Sequence, residues 1–498
     1  MRKISIEELR TATCGKVLFG QQKNIIERVV TDSRETKAGD VFFALKGERN
    51  DGHDYLAQVL KSGCRVLAVS DSIKTEDALK NFDERDLVDV VLMDDTKRGL
   101  QLLSKWYLTT LPLKANIGVT GSVGKTSTRD FLYYVLSEKY KTARSIKNFN
   151  NSFGLPLSIL SFPEDTEAAV IELGMDGKGS IDLLAELVRP ETAVITNVGI
   201  SHLENFPGEG RNGILNTKLE ITNYFDEKST LIINASNDML TGFDMNKRGI
   251  KGSLVRVGEL DSDEDLDLRV GKVEDKGTQG ISFELYYEGK TYQVELGVPG
   301  AHNAINASLA IACGLRYGIS VEDAIKGLQK VELTEKRLTL KERNGIRVID
   351  DTYNAAPESV KSAINTLMAT EVPEGGRRIL MTGDMGELGE KAEEGHRSVG
   401  ACAFEKGIDV TIAIGELSRY TFEGWRDAAE AAGHDPKKVN DRPLIIMDSV
   451  TGQGVEHFDD AEMVIAGVLD HVHAGDCILV KASRYMHLER IVKKIIED

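Results

Sequence analysis

Apolar and polar positions along this chain fall into three rhythmic blocks. Over residues 1–112, short apolar runs (VFFAL, 41–45; RVLAVS, 65–70; DVVLM, 89–93) alternate with helix-like segments. Runs of that length read as buried strands. LPLK, 111–114, interrupts the pattern with a proline and marks a linker. The second block opens on NIGVT, 116–120, then a glycine-rich turn, then TRDFLYYVLSEKY with helical spacing. AAVIEL (168–173), TAVITNV (192–198) and TLIINA (230–235) continue the strand pattern between helical segments. Such alternation predicts a mostly parallel sheet with helices on both faces. The stretch 253–298 is strand-rich, with patterns such as ISFELYY, and 301–318 reads as one helix. After residue 333 the rhythm restarts. RVIDD, RRILMTGD, VTIAIG, PLIIMD and CILVKAS are strand-like, each followed by a helical segment.

The expected fold class is therefore α/β in three domains. A small α/β domain spans 1–112. A central P-loop ATPase-like domain with a mostly parallel sheet spans 113–332. A Rossmann-like domain spans 333–498. The length of 498 residues suits this division, at about 150 residues per domain.

Charge narrows the function. The chain carries 62 Lys+Arg against 79 Asp+Glu, a net charge of -17. That balance disfavours a nucleic-acid partner, while a local pocket can still hold a small anion. The start, MRKISIEELR, has no apolar signal core, and no apolar run approaches the ~18 residues that span a bilayer. Five scattered cysteines without a C-x-x-C suggest neither a disulfide framework nor a zinc site. A reduced, cytoplasmic protein without membrane insertion is expected, acting as a monomer.

The candidate chemistry starts at TGSVGKTS, 120–127. A strict phosphate-loop pattern, G-x-x-x-x-G-K-[ST], needs glycine at 119, where Val119 stands. The match is instead T-G-x-x-G-K-T, with Val119 the last apolar position of the entering strand. Gly121 and Gly124 allow a tight turn that points backbone N–H groups at phosphate oxygens, with Ser122 and Ser127 alongside. Lys125 can reach the β- and γ-phosphates, and the Thr126 hydroxyl suits Mg²⁺. A guanine reader, N-K-x-D, is missing: Asn246-Lys247 is followed by Arg and Gly, so adenine is expected. Glu172 ends one strand, His202 follows the next, and Lys218 comes further on. Singly, each is more often a packing or surface residue. Their case rests on placement after consecutive strands of one sheet.

Together TGSVGKTS, KNFNNSFGLPLSIL, IELG, SHLENF, AHNAINA, DDTYNAAPES, GDMGELG and KASR resemble the Mur ligase family over nearly the whole chain, with TDSRETKAGDVFFALKGERNDGHDY at the N-terminus. DDTYNAAPES and GDMGELG resemble the member that adds a dipeptide. The resemblance implies ATP-dependent joining of D-Ala-D-Ala to UDP-MurNAc-tripeptide, with ATP and Mg²⁺ required. It implies that Lys125, Thr126, His302, Asn303, Arg337, Asp351, Tyr353 and Asn354 face the nucleotide. Glu172 and His202 would be Mg²⁺ ligands, and Lys218 a lysine carbamylated in many members. Asn148, Asn150 and Asn151 would lie near the acyl substrate. Ser33, Arg34 and, more weakly, Lys46 would hold the uridine nucleotide. Arg337 and Asp351 would meet the nucleotide only when the third domain closes. Val123 departs from the usual asparagine of the loop, and Ala301, Ala356, Ser180 and Ala482 also depart from the family pattern. Rivals are a ligase adding a single amino acid, a folylpolyglutamate synthase, or a non-catalytic ATP-binding regulator.

Overall fold

The computed structural model describes residues 1–80, 82–146, 148–262, 264–332, 337–438, 445–447 and 452–497. Three sheets organise it. The first has five strands, in the order Lys16–Phe19, Asp89–Leu92, Val66–Val69, Asp40–Phe43, Arg28–Val30. Only the first pair is antiparallel.

The second sheet has nine strands. Its first strand in sequence, Ala115–Thr120, lies between Ala168–Glu172 and Thr192–Ile195, both parallel to it. All six of its residues are buried, as expected of a strand covered on both faces. Ile117, Val119, Val170 and Val194 join one core, and Ala169, Ile171, Ala193 and Ile195 the other. The strand-rich stretch divides in two. Ser253–Glu259 and Leu268–Asp275 extend the parallel sheet, and Ile281–Tyr287 with Lys290–Leu296 adds an antiparallel hairpin at its edge.

The third sheet has eight strands around a parallel centre. Here the sequence reading needs a correction. Among the described residues, the element after Ile445–Met447, within PLIIMD, is a strand and not a helix. Ile445–Met447 pairs antiparallel with Gly454–Phe458, and that strand continues the parallel set before helix Ala461–His471. GVEHF has few apolar positions, so it carried little strand signal. The edge strand Thr339–Arg343 was also missed, because its polar residues alternate with only one buried-type side chain.

The joins between the sheets differ in chemistry. Helix Thr96–Thr110 packs on helices Gly154–Ile159 and Ser180–Val188, so residues of the first sheet and one face of the second form one continuous apolar core. The third sheet has its own cores, with Ile200 alone of the preceding domain packed against them among the described residues. No helix among the described residues is long and apolar enough to cross a membrane.

One buried histidine fixes a loop of the third sheet. His396 Nε2 accepts a hydrogen bond from the Met385 N–H at 3.0 Å, while Nδ1 donates to the Ala392 carbonyl at 2.7 Å. Burial pushes this imidazole below its ordinary pKa, so the fold holds it neutral. In the unfolded chain it takes a proton near pH 6.5. The stabilisation by His396 is therefore full above that pH and declines as pH falls through it. The denaturation midpoint of the wild type should fall toward that of His396→Gln between pH 7.5 and 5. A gap independent of pH would contradict this account.

Candidate active site

The carboxyl ends of three adjacent strands, Ala168–Glu172, Ala115–Thr120 and Thr192–Ile195, meet where the chain order reverses, the place at which open α/β sheets bind ligands. Val119 is fully buried and pairs with Glu172 and Val194, so it belongs to the strand and not to the loop. Gly121 follows, packed so tightly that a Cβ would sit 1.9 Å from Thr196 Oγ1. Gly124 has φ +83° and caps helix Lys125–Ser137, whose positive end faces the cleft.

Asn197, which the sequence reading missed, holds the loop. Its Oδ1 accepts from the Ser122 and Val123 N–H groups at 3.0 and 2.9 Å. The Thr196 hydroxyl donates to the Val123 carbonyl at 2.6 Å, and Ser122 Oγ accepts from the Gly199 N–H at 2.9 Å. Position 123 is thus fixed through its backbone, and a valine serves there without a polar side chain. Lys125 Nζ folds over the loop, donating to the Gly121 and Ser122 carbonyls at 2.7 and 3.1 Å. Burial lowers the Lys125 pKa, opposed by the charge of Glu172.

Glu172 is 3% exposed. Its Oε2 accepts from the Thr126 hydroxyl at 2.9 Å and lies 3.6 Å from Arg129 Nη1, and its Oε1 accepts from Asn150 Nδ2 at 2.9 Å. Arg337, from beyond the domain junction, donates to the same Thr126 Oγ1 at 3.0 Å and lies over the Tyr353 ring at 4.4 Å. His202 Nδ1 lies 3.0 Å from Glu387 Oε2, and His302 Nδ1 shares a 2.6 Å hydrogen bond with Ser362 Oγ. Both pairs cross from the second sheet's domain to the third's. Asp351 meets Lys481 Nζ at 2.6 Å, and burial raises the Asp351 pKa against the pull of that lysine.

These groups surround one cavity of about 400 Å³. Ser122, Gly124, Lys125, Thr126 and Ser127 line its floor, with Asn150, Glu172 and His202 beside them. His302, Asn303, Arg337, Asp351, Tyr353 and Asn354 close the other side. Asn303 also has a local task, donating to the Pro299 carbonyl at 2.7 Å. Lys481 lines the cavity too; its position at the end of a strand in KASR was the available signal. Lys218 lies apart from the lining. It is fully buried and its Nζ makes no hydrogen bond, and burial, helped by nearby Lys125, drives its pKa well down.

Other expected residues stand elsewhere. Asn151 Oδ1 accepts from the Phe153 and Gly154 N–H groups and starts helix Gly154–Ile159, and Asn148 is exposed. Arg34 is exposed and pairs with Asp32, Ser33 sits in the same turn Ser33–Glu35, and exposed Lys46 bridges to Asp51; none of the three reaches the cavity.

Among the described residues, no three His, Cys, Asp or Glu side chains converge on a metal position. Mg²⁺ rarely needs such a cage, because it is held by one or two carboxylates together with phosphate oxygens and water. The Thr126 hydroxyl against the Glu172 carboxylate, with His202 nearby and the unpartnered Lys218 amine behind, fits that pattern.

The three sheets, the loop at the reversal point and the two-sided cavity match what comparison with known proteins finds. Residues 25–101 match the model of the Mur ligase family catalytic domain, 119–314 the Mur ligase middle domain, and 336–484 the Mur ligase glutamate ligase domain. The chain belongs to the Mur ligase family. It is 37% identical over 479 residues to the UDP-N-acetylmuramoyl-tripeptide–D-alanyl-D-alanine ligase of Bacillus subtilis, covering 96% of this chain and 94% of that one. The ligase of the same name from Escherichia coli is 30% identical, over 95% and 94% of the two chains. Among solved structures, MurF from Acinetobacter baumannii superposes with a TM-score of 0.83 at 28% identity over the full length of both. MurF from Thermotoga maritima, solved with ADP, gives 0.73 at 26% identity, over 95% of this chain and 97% of that one.

As a Mur ligase, the chain binds ATP. Its loop geometry makes Asn197 a test. Asn197→Ala leaves the Val123 N–H without its acceptor, at a cost of about 1–3 kcal/mol, while the Ser122 N–H keeps the backbone carbonyl of residue 197 at 3.0 Å. ADP affinity measured by calorimetry should fall about tenfold. Unchanged affinity would show that the loop holds its shape without Asn197.

Proposed function

We propose that this Mur ligase joins D-alanyl-D-alanine to the terminal carboxylate of UDP-MurNAc-tripeptide, giving UDP-MurNAc-pentapeptide, ADP and phosphate in peptidoglycan precursor synthesis. The supporting observation is the hydrogen bond from Arg337, in the third domain, to Thr126 in the phosphate loop, which makes one cavity from two domains. Full-length likeness to ligases of that name, at 37% and 30% identity, supports the substrates. The domain division is proposed at 112/113 and 332/333. The working unit is a monomer, acting in the cytoplasm.

A carboxylate does not acylate an amine near neutral pH, because its oxygen leaves poorly. Attack of the tripeptide carboxylate on the γ-phosphorus breaks the bond to ADP and forms an acyl phosphate. The dipeptide amine then attacks the carbonyl carbon, phosphate leaves, and the amine loses its proton. In the first step two anions approach. Lys125 and Arg337 flank the loop and stabilise charge on the transferring phosphoryl group. Mg²⁺, when bound, would add charge neutralisation there, held by Thr126, Glu172, His202 and a carbamate on Lys218. Residues Ser122, Gly124 and Ser127 cradle phosphate oxygens, with Gly121 setting the turn. His302, Asn303, Asp351, Tyr353 and Asn354 position the nucleotide from the opposite wall. Ser33, Arg34 and Lys46 hold the uridine nucleotide on the first domain, and Asn148, Asn150 and Asn151 border the acyl end. The closed cleft keeps water from the acyl phosphate.

Purified protein should release ADP only when UDP-MurNAc-tripeptide and D-Ala-D-Ala are both present. Meso-diaminopimelate, lysine or glutamate should not replace the dipeptide. Lys125→Ala should reduce turnover by roughly 10²–10³-fold or more. ATP binding without ADP release would favour a regulator, and turnover with a single amino acid would reassign the substrate.

A further inference from the structure

The contact between His202 and Glu387 joins a loop of the second sheet's domain to a loop of the third's. His202 begins the turn Leu203–Asn205 with φ 65° and ψ 19°, a left-handed conformation that a histidine adopts at a cost. Glu387 is also left-handed, at φ 65°. Two neighbouring side chains in strained backbone positions, one from each domain, require that their surroundings fix them.

The third domain fixes Glu387 firmly. The Met385 N–H donates to His396 Nε2 at 3.0 Å, and the Gly386 N–H to Ser483 Oγ at 2.8 Å. The Ser483 N–H returns a bond to the Asp384 carbonyl at 3.1 Å. The residue just before Glu387 and the one before that are thus tied to a helix and to the end of a strand. Beyond it, Gly389 presses on the second domain so closely that a Cβ would meet Glu204 Cα at 3.1 Å. The carboxylate therefore reaches His202 from a rigid base, and only while the third domain is seated.

The chemistry of the pair is directional. A carboxylate accepts and does not donate, so the His202 Nδ1 at 3.0 Å carries the proton. The other ring nitrogen, Nε2, is the one this arrangement makes available to a metal, on the ring that borders the cavity. A carboxylate behind a histidine is the usual way to set the tautomer and ring orientation of a metal-binding imidazole.

We propose that Glu387 is a positioning residue that orients His202 for the divalent cation, so that the cation position is completed only when the third domain closes. This rests on the reading of His202 as a cation-facing group of the ligase. Glu387 touches neither substrate nor nucleotide in this role; it acts through His202. The coupling runs both ways, because a cation that favours the oriented imidazole also favours closure.

The test uses the full-length protein and Mn²⁺ as a paramagnetic probe. Mn²⁺ is titrated by EPR in the presence of ADP, for wild type, Glu387→Ala, Glu387→Gln and the exposed neighbour Glu390→Ala. Glu387→Ala should weaken Mn²⁺ binding by roughly 10–100-fold and raise the Mg²⁺ concentration for half-maximal turnover to match. Glu387→Gln keeps an acceptor oxygen and should recover most of that loss. Glu390→Ala should equal wild type. Equal Mn²⁺ affinity in all four proteins would overturn the proposal, as would a loss in Glu387→Ala with no recovery in Glu387→Gln. Wild-type turnover with both substrates is measured in parallel. Its absence would count against the ligase reading, while the Mn²⁺ titration would still judge Glu387.

Discussion

An ionised carboxylate at the end of a buried strand survives only if the chain around it supplies donors. Glu172 is supplied from two elements: the Thr126 hydroxyl and, at 3.6 Å, Arg129 on the phosphate-loop helix, and the Asn150 amide on the asparagine-rich loop. Satisfying this one group therefore fixes the helix, the loop and the strand against each other. Thr126 passes the constraint on, because its oxygen also accepts from Arg337. A chain of hydrogen bonds thus runs from the third domain through a hydroxyl to the end of strand Ala168–Glu172. Every other feature of the cavity is placed relative to that line.

The two joins of the molecule have opposite character, and the difference suits the reaction. The first and second domains share an apolar core, which opens only at the cost of exposing buried side chains. Among the described residues, the second and third share no comparable core: they meet through the polar contacts Arg337–Thr126, His202–Glu387 and His302–Ser362, through Ile200, and where Gly277 and Gly389 pack on Thr370 and Glu204. Water can replace the polar contacts at little cost, so this interface is the one better suited to open and close. Motion of the third domain there would leave the first and second domains in register. A reactive acyl phosphate needs that division, since admission of substrates and exclusion of water cannot occur in one fixed state.

Much of this was legible in the chain, for physical reasons that differ by residue. Buried parallel strands are near-continuous apolar runs, so NIGVT, AAVIEL and TAVITNV declared themselves. The phosphate loop was legible because glycine and lysine are needed at set spacing along the chain. Gly454–Phe458 was not, because pairing with neighbours, and not its own side chains, makes it a strand. Asn197 was hidden for a related reason. It acts across the sheet on a loop 74 and 75 residues away, and local spacing carries no trace of that. Glu387 lay inside a motif that was noticed, but its partner lies in another domain. Asn151 has a structural task that its motif did not announce, since its side chain accepts from the Phe153 and Gly154 N–H groups and so builds the loop itself.

Lys218 completes the electrostatic argument. A buried ammonium without a hydrogen-bond partner is costly, and Lys125 nearby adds repulsion, so the fold drives Lys218 toward the neutral amine. A neutral amine on a rigid helix is a nucleophile toward carbon dioxide, which protonated lysines are not. Adding the carboxyl group would replace an orphaned donor by an anion. The interaction with Lys125 would then change from repulsion to attraction. The same burial that makes the lysine unfavourable as a cation thus prepares it for conversion. Next to a phosphate site crowded with negative charge, that anion is sustainable only if cations stand between it and the phosphates. The cationic side of the cleft and the buried lysine would then be two parts of one charge balance.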